Sequence, residues 1–298
     1  MRLLHLALVL ALPAAAQQPP DPDAQTIMAR VAANQDQSEA ARTHFVYLQH
    51  ARVASRKGKT VRCEEITDIR VVPSDTGSHQ QLLKLQGRLL GKHGYQTYDH
   101  LPPDKENGSS DLQAGHDDLS ITVGEENMDR DLVEHMRNNF TNDHSKDGIG
   151  AGLFPLTSKT QHDYTYRLLG RESITGRDVF HIAFVPRDKD DFGWKGDAYI
   201  DTEAFQPVLV HTTMARKLPF AVRTLLGTSL PGLGFTVTYA PQSIDQSGGI
   251  WFPVTFGTEF KMHVLFFLNR EITINAENRD FEQTHVNSTI LPAAPSTN

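Results

Sequence analysis

The sequence predicts a mainly antiparallel β fold: a curved sheet or incomplete β-barrel with an N-terminal helix and inserted helical segments on its concave side. Three observations carry this. From Tyr164 onward, apolar and polar residues alternate in short runs separated by Gly- and Asp-containing turns, the pattern of successive antiparallel strands. Ahead of them, an apolar-edged segment after Asp23 leads into a second set of alternating runs. Between the two sets lies a polar, acidic stretch that holds one clear four-residue apolar period.

The elements come in chain order. Ala24 to about Gln37 is predicted helical, with Ile27, Met28 and Val31 on one edge and Asp21 or Asp23 as its cap. Phe45, Tyr47, Gln49, Ala51 and Val53 alternate with Val46, Leu48, His50 and Arg52. Arg56-Lys57-Gly58-Lys59 turns that strand into a return strand from Thr60 to Val72, which Pro73 is expected to stop. Gln81 to Leu90 is a third run. Asp104 to Asp147 carries twelve acids against four bases. Its first part, to Asp118, reads as a polar loop. Met128, Leu132, Met136 and Phe140, with Val133 beside them, predict a helix with one buried edge.

In the second half, Tyr164, Tyr166 and Leu168 alternate. Val179 to Val185 is apolar on both faces and is predicted to be buried on both sides. Gly196 to Asp201 and Pro207 to Met214 predict a hairpin. Phe235 to Tyr239, Ile250 to Phe256, Glu259 to Phe267 and Glu271 to Val286 complete the strands, with Gly257-Thr258 read as a tight turn. Arg216 to Gly234 is rich in leucine but broken by Pro219, Gly227, Pro231 and Gly232. It reads as a short helix able to lie over an apolar surface.

Met1 to Ala16 has the features of a secretory signal peptide: Arg2, a short apolar run from Leu3 to Leu12, Pro13, and Ala14-Ala15-Ala16. The run is too short to cross a bilayer core of ~30 Å. The expected organisation is a signal peptide at 1–16, a linker at 17–23, a single domain at 24–290 with an acidic insertion at about 101–161, and a flexible tail at 291–298. The mature chain is expected to be soluble, periplasmic or secreted, with no transmembrane anchor.

Composition and motifs narrow the chemistry. A formal net charge of −7 gives no basic face for nucleic acid. The single cysteine, Cys63, excludes an intramolecular disulfide and a cysteine zinc cluster, and it reads as a structural thiol. Among 14 histidines, none forms His-Glu-x-x-His, and His116-Asp117-Asp118 and the pair His135 and His144 match no recurrent ligand spacing. Gly-x-Ser-x-Gly and the phosphate-cradling glycine motifs are missing. Adjacent acids such as Glu64-Glu65, Asp117-Asp118, Glu125-Glu126 and Asp190-Asp191 read as solvated loops. Catalytic residues, metal and cofactor are therefore all expected to be none. The positive signal is apolar. Phe45, Tyr47, Phe180, Phe184, Phe235, Tyr239, Trp251, Phe256, Phe260 and Phe267 lie on strands, and Leu225 and Leu226 lie on the 216–234 segment. They fill an ordinary core, or they line a hydrophobic pocket closed by that segment.

The order of short patterns adds a resemblance. Ile27-Met28-Ala29-Arg30-Val31-Ala32-Ala33-Asn34 is followed by Phe45-Val46-Tyr47, Tyr164-Thr165-Tyr166-Arg167-Leu168-Leu169-Gly170 and Gly176-Arg177-Asp178-Val179-Phe180. Gly196-Asp197-Ala198-Tyr199-Ile200-Asp201 and Gly249-Ile250-Trp251-Phe252-Pro253 come next. Over roughly Ala24 to Leu90 and Tyr164 to His285 this resembles exported bacterial proteins of the outer-membrane lipoprotein-sorting (LolA/LolB-like) fold family, in an uncharacterised branch. The resemblance implies an incomplete barrel with helices in its concave side, where the family's carriers take lipoprotein acyl chains. This chain departs by its insertion, and no acyl-binding residue of the carriers aligns. The expected function is a soluble periplasmic carrier or sensor for a hydrophobic ligand or acylated protein. The alternative is a non-catalytic envelope scaffold with a filled core, binding an envelope partner through its acidic insertion.

Overall fold

The computed structural model describes residues 21–74, 77–101, 127–140, 155–188, 193–216, 228–242, 249–264 and 268–284. The predicted signal peptide, the Asp104–Asp118 loop, Leu225, Leu226 and Phe267 lie outside these residues.

Helix α1 (Ala24–Arg42) opens the described chain. Asp23 caps it by accepting from the Thr26 amide at 2.7 Å. The helix runs five residues beyond the predicted end at Gln37 because its last contacts are polar, and an apolar period cannot show them. Gln206 lies between Gln35 and Ser38, and the Arg42 guanidinium donates to the Trp251 carbonyl at 2.9 Å. Four strands come next: β1 (Phe45–Lys57), β2 (Thr60–Ser74), β3 (Gly77–Gly91) and β4 (Gly94–Tyr98). Helix α2 (Met128–Phe140) sits where the four-residue period placed it, with Leu132 and Val133 fully buried. A single turn, α3 (Ser158–Gln161), precedes the second set of strands. These are β5 (Tyr164–Ile174), β6 (Arg177–Pro186), β7 (Trp194–Asp201), β8 (Pro207–Met214), β9 (Thr228–Ser229), β10 (Gly234–Gln242), β11 (Ile250–Val264) and β12 (Leu268–Gln283).

All strands belong to one open antiparallel sheet, ordered β4-β3-β2-β1-β12-β11-β10-β8-β7-β6-β5, with β9 beside β11. The last strand therefore joins the two halves, placing Ala276 opposite Ala51 and Ile274 opposite Val53. The sheet is curved. Helix α1 touches both β5 and β11, which stand five strand spacings apart, or about 24 Å on a flat sheet. A helix about 28 Å long laid across a flat sheet would touch every strand between, whereas α1 makes its main strand contacts with β5 and β11, so the sheet bends round it. One continuous core confirms this: it joins Leu89 on β3 to Tyr164 on β5, with Ile27, Met28 and Val31 of α1 and Leu132 and Val133 of α2 inside it.

Three sequence expectations need correction. Val179–Val185 is buried on both sides only at its start: Phe180, Ile182 and Phe184 face the core and Val179, on the other face, is buried with Val208 and Trp251, whereas Val185 is 46% exposed where nothing covers that face. Gly257-Thr258 is not a turn. β11 passes straight through, pairing Gly257 with Asn275 and Thr258 with Ile274, so the glycine serves a long curved strand. Pro73 does not stop β2, since it pairs with Ser78 on β3 after the register with β1 has ended at Tyr47–Val71. Its missing amide thus costs no bond to β1.

Gly196 shows how tightly two strands meet. A Cβ there would fall 1.9 Å from the His211 carbonyl oxygen on β8. Gly196→Ala is expected to part β7 from β8 and to lower stability by about 1–3 kcal/mol, read as a fall in thermal midpoint; an unchanged midpoint would contradict this packing.

Candidate ligand-binding face

Alternation assigns the concave side of each strand. On β7 it presents Trp194, Ala198 and Ile200, on β10 Phe235 and Val237, and on β11 Phe256 and Phe260. Trp194 meets Phe235 edge-on with ring centroids 4.7 Å apart, and Phe235 meets Phe256 at 5.2 Å. Tyr164 and Phe184 add a second edge-on pair at 6.0 Å. Trp194, Phe235, Leu230 and Leu233 are only half-buried, whereas Phe256 is 3% exposed. The row therefore runs from a closed core to a partly open apolar rim. That rim lies where the chain enters and leaves the 217–227 segment.

The sequence-predicted site residues divide into groups. Phe180, Phe184, Phe256 and Phe260 lie in the main core, with Phe235 and Tyr239 at its edge. Phe45 packs edge-on against Phe252 at 5.1 Å, and Tyr47 joins Ile69, Val71 and Phe281 in a second cluster. Trp251 packs with Val179 and Val208, its indole 5.3 Å from the Arg177 guanidinium.

A charged floor beneath α2 went unread in the sequence. Glu65 on β2 is 1% exposed; it accepts from the Tyr98 hydroxyl at 2.8 Å and pairs with the buried Arg137 of α2. Arg130 lies 3.9 Å over the Tyr98 ring and donates to Glu134 at 2.7 Å. Beside Arg130 in the chain, Asp129 accepts from Arg270 at 2.6 and 2.9 Å and from the Ser55 hydroxyl at 2.8 Å. The solvated-loop reading of Glu64-Glu65 is thus overturned. Both stand mid-strand, and Glu64 pairs with Arg52 and Arg88. Burial pushes the Glu65 carboxyl above its usual range, against the pull of the Arg137 charge. Burial likewise pushes the Cys63 thiol up to about 12, which leaves it inert as a nucleophile. Among the described residues, no group of three or more His, Cys, Asp and Glu side chains is placed to hold a metal ion.

Asp129 has the opposite sign. Burial raises it, but hydrogen bonds from Arg270 and Ser55 and the charges of Arg270 and Arg62 outweigh burial and hold it below the usual carboxylate range. Its contribution to stability is therefore present above the ordinary aspartate value and is lost as pH falls through the lowered one. Asp129→Asn is expected to flatten the acid limb of a stability–pH profile. An unchanged limb would remove Asp129 as a source of acid lability.

The architecture defines a curved, open antiparallel sheet that holds helices in its concavity. Among solved structures, the chain is similar to a DUF1329 family protein from Desulfovibrio piger, at 10% identity and TM-score 0.39, over 90% of this chain and 96% of that one. It is also similar to a putative outer membrane lipoprotein-sorting protein domain from Vibrio parahaemolyticus, at 13% identity and TM-score 0.35, over 83% and 90%. A LolA superfamily protein from Nitrosomonas europaea matches at 11% identity and TM-score 0.35, over 89% and 96%. These are proteins of the kind that the sequence resemblance named. No protein-family model and no curated protein matches the chain.

Proposed function

We propose that the protein is a non-catalytic, periplasmic binding protein that carries or senses a hydrophobic ligand, taking the apolar chain of a lipid or acylated protein on its concave face. The observation that supports this is the Trp194–Phe235–Phe256 row, which continues the core outward to a half-buried rim with Leu230 and Leu233. Phe180, Phe184, Tyr239 and Phe260 back that row, and Leu225, Leu226 and Phe267 are proposed to complete it. Burial of about ten methylenes at about 0.8 kcal/mol each gives about 8 kcal/mol, a micromolar scale before ordering costs. No described helix is long and apolar enough to cross a membrane. The scaffold reading, with its acidic insertion as contact surface, has less support. In the described part of the insertion, Asp129 is buried on Arg270 of the sheet and Glu134 is buried on Arg130 of its own helix, so neither faces a partner.

Titration with a dansyl-labelled fatty acid tests the reading. Saturable uptake near one per chain is expected, with displacement by unlabelled long-chain acids. Absence of uptake, together with intact partner capture that requires residues 104–147, would favour the scaffold.

A further inference from the structure

We propose that the open edge of β3, from Leu82 to Gln86, takes an extended segment of a partner polypeptide as an added β-strand. The apolar ligand row does not use β3, so this surface stands apart from the carrier reading. β3 runs from Gly77 to Gly91, yet β4 pairs only with Gly87–Gly91. Before Gly87, among the described residues, β3 has β2 on one side and no strand on the other. The early stop of β4 is built into the chain. The Tyr98 ring lies across Gly87, where a Cβ would fall 2.1 Å from it, and the Tyr98 hydroxyl is held by Glu65 at 2.8 Å. The backbone then leaves the edge for α2, with the His100 carbonyl accepting from Arg130 at 3.0 Å. Pro102 and Pro103 follow in the sequence, and neither has an amide hydrogen with which to lengthen β4.

What β3 presents there is the backbone of a sheet edge. Lys92 and His93 make a two-residue turn between Gly91 and Gly94, so Gly91, Leu89 and Gly87 direct their backbone groups at β4. The same alternation directs the Leu85 amide and carbonyl to the open side. Such donors and acceptors, spaced along an edge, match an extended backbone. The side chains add specificity. Asp68 pairs with Lys84 and Ile69 with Leu82, which leaves Leu83 as the extra residue of a bulge, 48% exposed. A groove of about 450 Å³ runs along this stretch, lined by Leu82, Leu83, Lys84, Leu85, Gln86 and Asp99. Lys84 and Asp99 are both exposed. The occupant that fits is an extended peptide segment with an apolar residue over Leu83, an acidic one near Lys84 and a basic one near Asp99. A lipid chain would cover Leu83 but leave the Leu85 backbone unpaired.

The test is selection from a random library of displayed peptides about ten residues long, against the full-length protein, with recovered peptides resynthesised and titrated. A bound peptide is expected to slow exchange of the Leu85 amide by about tenfold or more. Methylating its backbone nitrogens one at a time should abolish binding at every second position and spare the positions between, the signature of a strand that pairs along one edge. Leu83→Lys, at an exposed side chain, should weaken the same peptide by about tenfold. Recovery of no peptide overturns the proposal. So do peptides that protect another part of the chain, and peptides indifferent to methylation at every position. Self-association that Leu83→Lys abolishes, with no peptide recovered, would assign the edge to a second copy of this chain and overturn the proposal as well. The methylation series on the wild type decides even if the variant does not fold.

Discussion

Replacing Arg137 by methionine is expected to destabilise the protein by about 3–5 kcal/mol, because it leaves Glu65 buried without its counter-charge. Arg137 is 1% exposed and is the largest fully buried side chain among the described residues. It reaches from α2 to β2, so its loss should loosen the whole helix from the sheet. The remaining Glu65 would answer by protonating more readily, since burial would act on it without the opposing Arg137 charge. A carboxyl raised in the folded state favours folding below its unfolded value, ~4.3, and that advantage is lost as pH rises. The deficit of Arg137→Met should therefore be largest at neutral pH and shrink as the solution is acidified. Glu65→Gln in the same chain should recover most of the loss, because the amide oxygen still accepts from Tyr98. Urea unfolding of the two variants at two pH values reads all three statements. A single variant as stable as the wild type would mean that the pair does not hold α2.

The second large effect concerns binding. Trp194→Ala and Phe235→Ala are each expected to weaken apolar-ligand binding by about 30-fold or more, the scale of aromatic anchors in buried contacts. Both side chains are half-buried, so their removal should cost less stability than truncating the 3%-exposed Phe256 beneath them. Binding and stability should therefore separate: the rim variants lose ligand first, and Phe256→Ala loses the fold first. Equal ligand affinity in wild type and both rim variants would place the ligand elsewhere.

Much of the sheet was legible, because inward and outward positions of a one-faced sheet alternate and their hydropathy alternates with them. The four-residue period of Met128, Leu132 and Met136 located α2 within a segment whose composition otherwise reads as solvent-facing. Polar contacts were harder to read. The end of α1 rests on Gln35, Ser38 and Arg42, the seat of α2 on Glu65 and Asp129, and the inward β1 position next to Ala51 holds a glutamine. Hydropathy assigns such residues to solvent, and only their register shows that they face a partner. Glu65 did carry a signal, since it shares the strand parity of Cys63 and Thr67 on an inward-facing run. Gly257 misled for a different reason: a glycine pairing between two strands looks, in sequence, like a glycine that ends one. The aromatic set was found by residue type alone. Type does not say that Trp251 and Tyr47 pack in clusters separate from Phe256.

The most direct measurement is native mass spectrometry of the protein isolated from its own host, followed by lipid extraction. A carrier should emerge with a lipid or acylated peptide bound at one per chain, lost on delipidation and regained on addition of the extract. A chain that emerges empty and takes up no fatty acid afterwards would contradict the account and leave the concave aromatics as core.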